Sequence, residues 1–265
     1  SDAMKAMRRD VSSSKPPAAK PLAAKSFAEE PTGAAGSFHP GRYHSDKRVR
    51  HLNERERQTV TEFHKLVYAL WQDGAPTLEA NWLGYPAVKC PLDLWIYQEI
   101  VCETRPDVVI KTGTKLGATS IFLATVLQMI GHGRVISVDN DLRPGRPTHP
   151  AIDYLHGPTT EPGFVERVRK LIPKGARVMA VLDADHAAPR VLREMEAYGR
   201  LVTPGCYLIV EDTNINGHPA FPEHGPGPME AVASYLVQHR EFRVDHERER
   251  FLMTLNPGGY LRRAE

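Results

Sequence analysis

The chain has 265 residues, with 34 lysines and arginines against 32 aspartates and glutamates, so its formal net charge is only +2. A charge this small argues against the strongly basic surface of a nucleic-acid-binding protein. The length suffices for one α/β domain and an appendage. No apolar run approaches the roughly 20 residues needed to cross a bilayer, so we predict no membrane span.

The three cysteines, Cys90, Cys102 and Cys206, leave one unpaired in any disulfide scheme. The sequence also lacks a CxxC pair. Reduced thiols are the simplest interpretation, and they favour a cytoplasmic location.

Residues 1–48 are rich in Ala, Pro, Ser, Lys and Gly and contain almost no bulky hydrophobic side chains. Such a segment buries too little apolar surface to offset its ordering entropy, so we predict a disordered arm. A tail that binds a partner is the alternative. The first residues, "SDAM", are typical of an expression-tag remnant ahead of Met4.

Residues 49–104 are predicted to form an N-terminal helical segment. One helix is expected over 53–72, and a second from about Leu92 to Glu103 after a Pro/Gly-rich turn. We interpret Trp95 and Tyr97 in the second helix as packing residues, and a position at the rim of a ligand site is the alternative. The apolar residues at helical spacing in the first helix are Val60, Phe63, Leu66, Val67 and Leu70.

Residues 105–265 alternate between short apolar runs and helical patterns, which is typical of a parallel sheet covered on both faces. After the last helix, "FRVDH" and "FLMTLN" are predicted to form a closing antiparallel hairpin. We therefore predict an α/β, Rossmann-like, doubly wound and mostly parallel sheet. The predicted strands are 107–112, 134–139, 152–156, 176–183 and 206–212, and the predicted helices are 117–130, 163–172, 187–198 and 228–239.

The first predicted strand leads into a glycine turn that could contact a cofactor. Open α/β sheets bind ligands beyond the carboxyl ends of their strands, and glycines there let the backbone approach a ligand and begin a helix. GxxxG turns are common in βα units, so the turn alone is a weak signal. The candidate binding residues are Lys111, Thr112, Gly113, Thr114, Gly117 and Ser120.

The second predicted strand ends in Asp139, and Asp141 follows two residues later. A carboxylate at this position can accept hydrogen bonds from both hydroxyls of a ribose, as in dinucleotide-binding folds. The alternative is that Asp139 only caps the next helix.

The fourth and fifth predicted strands also end in carboxylates. "LDADH" contains Asp183 and Asp185, and "VEDTN" contains Glu211 and Asp212. Carboxylates at neighbouring strand ends repel one another unless a cation lies among them, and hard oxygen ligands favour Mg²⁺ or a similar ion. The alternative is that Asp183 and Asp212 cap the next helices.

His186 lies three residues after Asp183, beside the predicted carboxylate cluster. An unperturbed histidine titrates near neutrality, so this position suits a proton acceptor. We predict His186 as the general base, with Asp183 as a second catalytic residue. A structural histidine is the alternative.

Several motifs resemble the cephalosporin hydroxylase/rhamnosyl O-methyltransferase family over about residues 80–263. They are "CPLDLWIYQEIVCETRPDVVIKTGTKLGATSIF", "VLDADH", "LIVEDTNINGH" and "NPGGYLRR". The resemblance implies a class I methyltransferase fold that uses S-adenosylmethionine (SAM), usually with Mg²⁺, to methylate a hydroxyl of a sugar or secondary metabolite. By position it implies a metal held by Asp183, Glu211 and Asp212, a base at His186, and a SAM pocket that includes Gly113, Gly117, Asp139 and Asp183.

Lys111 departs from the family pattern, which usually has a glutamate here that helps to position the methionine end of SAM. A lysine would repel the ammonium of SAM. Three explanations stay open: Lys111 reaches the SAM carboxylate, it pairs with a nearby aspartate, or the cofactor site has lost its function. If the pocket is otherwise intact, Lys111→Glu is expected to tighten SAM binding.

The expected partner is a small-molecule acceptor that contacts the loop "NINGHPAFPEHGPGP" (214–228), and the helical segment would cover the site or form contacts in a homo-oligomer. Two rival functions are a SAM-fold protein with weakened catalysis and a metal-dependent hydrolase. A hydrolase needs no nucleoside pocket, so the glycine turn and Asp139 argue against it.

Overall fold

The computed structural model describes residues 52–265 of the chain. The predicted disordered arm, 1–48, lies outside the described residues. The described chain contains a long helix, a small hairpin and an α/β sheet that is covered by helices on both faces.

The helices are α1 (Glu54–Gln72), α2 (Pro91–Thr104), α3 (Ala118–Met129), α4 (Pro162–Lys170), α5 (Ala188–Tyr198) and α6 (Pro228–Gln238). The strands are β1 (Glu79–Trp82), β2 (Tyr85–Val88), β3 (Val108–Thr112), β4 (Arg134–Asp139), β5 (Ile152–His156), β6 (Val178–Leu182), β7 (Tyr207–Val210), β8 (Phe242–Val244) and β9 (Tyr260–Arg263).

Strands β3 to β9 form one sheet in the order β5-β4-β3-β6-β7-β9-β8. The first five strands of this order are parallel, and β9 is antiparallel to both β7 and β8. Every residue of β3, β6 and β7 is buried, because helices cover both faces of these central strands. This confirms the predicted doubly wound fold, and the switch point lies between β3 and β6.

The closing antiparallel pair is present, but its second strand was predicted wrongly. β8 pairs with β9, so the partner is "YLRR" and not "FLMTLN". Residues 251–256 contain no strand, because the segment is bound to α2 instead. Asp93 accepts hydrogen bonds from Thr254 Oγ1 (2.5 Å), the Leu255 backbone N–H (2.8 Å) and Tyr260 Oη (2.8 Å).

Helix α1 begins at a capping box, in which Asn53 and Glu56 exchange side-chain to backbone hydrogen bonds. Its apolar spacing does not correspond to its buried face. Phe63, Leu66 and Leu70 are all exposed, whereas the buried residues of the helix are His64 and Tyr68.

The buried face of α1 packs on the chain that follows β7. Tyr68 belongs to a small hydrophobic cluster with Ile215, Ala220, Met253 and other residues. A polar side chain can therefore occupy a buried helical position when a partner is supplied, as His64 does with the side chain of Asn214 (3.1 Å).

The Pro/Gly-rich turn between the first two predicted helices contains the antiparallel hairpin β1–β2, which the sequence analysis missed. The hairpin is followed directly by Lys89 and Cys90, and then by the first residue of α2. No described helix is long and apolar enough to span a bilayer. The three cysteines are free thiols.

Candidate active site

The turn after β3 contains three residues in the left-handed region, Gly113, Lys115 and Gly117, with φ of 71°, 49° and 83°. The two glycines are needed because the chain approaches itself closely. A Cβ on Gly113 would lie 1.9 Å from the carbonyl oxygen of Asp183, and one on Gly117 would lie 2.7 Å from Pro147 Cδ. Contact with a cofactor is therefore not the only reason for these glycines.

The threonine and serine residues of the turn are tied to the sheet. Thr114 Oγ1 and Ser120 Oγ each lie 2.8 Å from the hydroxyl of Ser137 on β4. Thr112 Oγ1 accepts a hydrogen bond from the Asp183 N–H (3.1 Å) and donates one to Glu194 (3.1 Å). These contacts fix the turn, so the predicted roles of these side chains in cofactor binding stay predictions.

Asp139 lies at the carboxyl end of β4, where its carboxylate is held on several sides. It accepts hydrogen bonds from the backbone N–H groups of Lys115 and Asp141, each at 2.9 Å, and from the guanidinium of Arg146 at 3.1 Å. A carboxylate offers about four lone-pair positions. Asp139 can therefore still accept a hydrogen bond from a hydroxyl of a ligand.

Arg146, which the sequence analysis did not single out, also donates to the carbonyl oxygens of Lys115 and Asp141. It thereby links the glycine turn to the loop after β4. Asp141 itself points outward and pairs with Arg143 (2.7 Å), so only its backbone N–H contacts Asp139. No ligand contact of Asp141 follows from this geometry.

Lys111 is fully buried, with 1% of its surface exposed. Its Nζ lies 2.9 Å from Asp183 Oδ2 and donates to the backbone carbonyl of Thr112 at 2.7 Å. Of the three explanations for this lysine, the structure favours pairing with a nearby aspartate. Its charge is therefore compensated within the protein.

Lys89 is a second buried lysine at this site, and the sequence analysis missed it. It follows β2, and its Nζ lies 2.7 Å from Asp183 Oδ2 and also donates to Glu211. The other Glu211 oxygen accepts a hydrogen bond from Tyr97 (3.0 Å). No local signal in the sequence marks this lysine, because it reaches the site through the hairpin β1–β2 and not through the sheet.

The two ammonium groups set the ionisation of the carboxylates. Burial opposes ionisation of Asp183, but Lys111 and Lys89 outweigh it and hold the pKa of Asp183 well below its usual range. Glu211 is more deeply buried, and this burial together with the charge of Asp183 raises its pKa to about 7. The site therefore contains one strongly ionised carboxylate and one that gains a proton more readily.

Asp183, His186 and Asp212 form a group that Glu211 does not join. One ligand atom from each of the three lies within 4.8 Å of the others. His186 Nε2 is 3.5 Å from Asp212 Oδ2, and the two side chains are 40% and 24% exposed. Asp212 has a left-handed φ of 55°, and its N–H is bound by Asn256 Oδ1 at 3.1 Å. Strained backbone of this kind is often found at functional sites.

The group fits a hard divalent cation. Mg²⁺ is usually held by one or two carboxylates and keeps several waters, and here Asp183 and Asp212 supply two carboxylates. Asp183 Oδ1 has no hydrogen bond with any described residue, since both lysines contact Oδ2. The ring nitrogen Nδ1 of His186 is buried and has no partner in residues 52–265, so His186 presents Nε2 to this group.

Tyr97 and Trp95 were both interpreted as packing residues. Tyr97 is fully buried and also receives a hydrogen bond from Asn256 (2.9 Å), so it connects α2 to Glu211. Trp95 is 59% exposed and donates to Glu99 (3.1 Å), so it is not a core residue.

The loop 214–228, predicted to bind the acceptor, begins directly after the Asp212 turn. It is folded on itself through backbone hydrogen bonds, and its ends are tied to α6 by Glu230. This side chain accepts from Asn216 (3.0 Å) and from the Gly227 N–H (2.7 Å). The loop lies beside the candidate site, and its acceptor role stays a prediction.

Glu194, on α5, is a buried carboxylate whose hydrogen-bond donors are the hydroxyls of Thr112 and Thr159. Burial raises its pKa to about 7 from 4.5. When the pKa of a carboxyl group is higher in the folded state than in the unfolded state, ionisation of the group favours unfolding. We therefore expect the stability contribution of Glu194 to be lost as the pH rises from about 4.5 through 7.

Glu194→Gln should remove this loss, since a glutamine cannot ionise. Relative to the unmodified protein, the variant is expected to gain up to about 3 kcal/mol of unfolding free energy between pH 4.5 and 8. Urea unfolding across this pH range measures the difference. Glu79→Gln, at an exposed position of β1, is the matched control. Parallel pH curves for the unmodified protein and Glu194→Gln would contradict the assignment.

The fold and the site can be compared with those of known proteins. This chain has a doubly wound sheet in the strand order given above, with a glycine turn at the end of β3 and a carboxylate at the end of β4. Two known CmcI structures share this fold. A magnesium–SAM complex of CmcI has a TM-score of 0.55 and 19% identity and covers 70% of this chain and 77% of its own. An apo structure has a TM-score of 0.56 and 20% identity, with coverages of 74% and 84%.

The profile of the family described as Rhamnosyl O-methyltransferase/CmcI matches residues 76–264. A rhamnosyl O-methyltransferase of Mycobacterium leprae is 37% identical over 212 residues, which cover 76% of this chain and 88% of that protein. The Mycobacterium tuberculosis H37Rv enzyme of the same name is 35% identical, with coverages of 76% and 83%. The chain belongs to this family and is an O-methyltransferase by class.

Proposed function

We propose that the protein transfers the methyl group of SAM to a hydroxyl of a sugar or other small metabolite. The observation that carries the proposal is the glycine turn beside Asp139 at the switch point of the sheet, in a chain that belongs to an O-methyltransferase family. The turn and Asp139 would receive the nucleoside and methionine parts of the cofactor. SAM supplies an activated methyl group, so the protein mainly aligns the acceptor and strengthens its oxygen as a nucleophile.

We infer that His186 is the general base. Its side chain is 40% exposed, and its Nε2 lies 3.5 Å from Asp212 Oδ2. Since Nδ1 is buried, Nε2 would take the proton from an acceptor hydroxyl, and the imidazolium would lie beside the Asp212 carboxylate. Asp212 then acts as a positioning residue for the ring. Asp183, the second predicted catalytic residue, is not assigned the role of base, because both lysines contact its Oδ2.

We further propose that a divalent cation such as Mg²⁺ is held by Asp183 and Asp212. When bound, it would lower the pKa of an acceptor hydroxyl. Glu211, which the family resemblance placed among the ligands, is left out of the proposed set, because Lys89 and Tyr97 occupy its oxygens.

The activity is tested by incubating the protein with methyl-labelled SAM and a panel of hydroxyl acceptors. Since the curated relatives are named for rhamnosyl groups, methyl rhamnoside belongs in the panel together with other simple glycosides. We expect one acceptor class to gain a labelled methyl ether. Label that remains in SAM for every acceptor, although SAM binds, would contradict the acceptor class.

The cation is tested separately. Asp212→Ala should lose Mg²⁺ stimulation of turnover while keeping its fold, and the unmodified protein should lose activity in EDTA and recover it with Mg²⁺. A variant of Asp183 suits this test less well, because its removal would leave the buried ammonium of Lys111 without a carboxylate partner and Lys89 with Glu211 alone. Asp185→Ala is the control, since Asp185 pairs outward with Arg190. Equal turnover with EDTA and with Mg²⁺ would count against the cation.

We also propose three properties that were expected from the sequence. They are contact between the 214–228 loop and the acceptor, assembly into a homo-oligomer and a cytoplasmic location. Assembly is measured directly by light scattering at micromolar protein concentration, where a mass above the chain's 29.6 kDa is expected.

A further inference from the structure

The carboxylate cluster contains its own counter-ions. Three carboxylates, those of Asp183, Glu211 and Asp212, stand at the ends of β6 and β7, and two lysine ammonium groups lie among them. With all five groups ionised, three negative and two positive charges leave a net charge of −1. Repulsion among the carboxylates was the reason for expecting a metal ion, and the lysines already relieve most of it.

Both lysines contact the same oxygen, Oδ2 of Asp183, at 2.7 Å and 2.9 Å, and Lys89 also contacts Glu211. The lysine side chains are 11% and 1% exposed, so water screens their charges poorly. A divalent cation held by Asp183 would lie within a few ångströms of both ammonium groups. The carboxylates of Asp183 and Asp212 would attract it, but the two buried ammonium groups would repel it.

We propose that Lys89 and Lys111 act as built-in counter-ions that compete with the divalent cation. Lys89 blocks Glu211 as a third ligand, and both lysines lower the cation affinity of the Asp183–Asp212 pair. The site is therefore assembled without metal, and the cation binds weakly and reversibly. This inference rests on the cation site of the proposed function, and it identifies two positioning residues for that site.

The proposal predicts that removing an ammonium tightens cation binding. Lys89→Met retains the apolar stem, removes the charge and frees the Glu211 oxygen. We expect its affinity for Mn²⁺ to increase at least tenfold, which corresponds to about 1.4 kcal/mol. The measurement is Mn²⁺ titration followed by electron paramagnetic resonance, with neither SAM nor acceptor present. Circular dichroism and thermal melting establish that each variant is folded.

Three other variants make the test specific. Lys89→Arg keeps the charge, so its Mn²⁺ affinity should stay within about twofold of the unmodified protein. Lys111→Met removes the other ammonium, should also tighten binding, and carries the test if Lys89→Met does not fold. Lys174→Met, in an exposed turn, controls for loss of a distant charge.

Unchanged, weaker or undetectable Mn²⁺ binding by the folded methionine variants would overturn the inference. Because the measurement involves neither methyl transfer nor SAM, it separates this inference from the proposed activity. Failure of the labelled transfer assay together with tighter Mn²⁺ binding in the variants would reject the activity and retain the counter-ion role.

Discussion

His186→Ala is expected to lower turnover by about 10²–10⁴-fold, which is the usual scale for loss of a general base. The expectation follows from the position of the ring: its Nε2 is 3.5 Å from Asp212 Oδ2, and 40% of the side chain is exposed where an acceptor would approach. The affinity for S-adenosylhomocysteine (SAH) should be unchanged, because the predicted cofactor contacts do not include His186 and all but Asp183 lie at the ends of β3 and β4. Initial rates and calorimetric titration measure the two effects.

His132→Ala is the matched control for this variant. His132 precedes β4 at the opposite end of the sheet and has a similar side-chain exposure of 32%. It should retain turnover. A His186 variant that retains turnover but loses SAH binding would show that the ring belongs to the cofactor site, and it would remove His186 as the base.

Lys111→Glu is expected to destabilise the fold by about 3–5 kcal/mol, the usual cost of breaking a buried ion pair. The sequence alone gave an expectation about a different quantity, a gain in SAM affinity from a restored family residue, and that expectation stays a prediction. The structure adds a cost in stability, because Asp183 lies 2.9 Å from the lysine. A glutamate there would place two carboxylates side by side in a buried position, with only Lys89 to compensate.

Urea unfolding at pH 7.5 measures the destabilisation, and Lys174→Glu is the control for a charge reversal at an exposed position. Lowering the pH should partly rescue Lys111→Glu, since protonation of one of two adjacent carboxyl groups removes the repulsion. A variant as stable as the unmodified protein would contradict the expected cost and would mean that Asp183 turns away from position 111.

The sheet was predictable because its central strands are continuous apolar runs between helices. The bounds of β4 and β5 were predicted to the residue, since a charged or polar residue ends each run. The face of α1 was not predictable, because apolar spacing does not reveal which residues find a partner: Leu66 is exposed, whereas His64 is buried against Asn214. The strand assigned to "FLMTLN" failed because Asp93, distant in sequence, binds that segment.

The site was predictable only to the level of single strand ends. The sequence brought Asp139, Asp183 and Asp212 to one edge of the sheet, because parallel strands end together. It could not show that Lys89 would reach the same edge, since the lysine arrives through the hairpin β1–β2 and not through the sheet. For the same reason the sequence predicted Glu211 as a metal ligand and did not show that Lys89 contacts one of its oxygens.

We propose that this chain binds SAM at the turn after β3, and that Asp183 compensates the charge of the lysine at position 111. Calorimetric titration with SAH, with and without Mg²⁺, is the decisive measurement. We predict saturable binding of one SAH per chain in both conditions, and loss of that binding in Asp139→Ala. Absence of SAH binding by the folded protein in both conditions would contradict the account, and would mean that the chain keeps the family fold without the family cofactor.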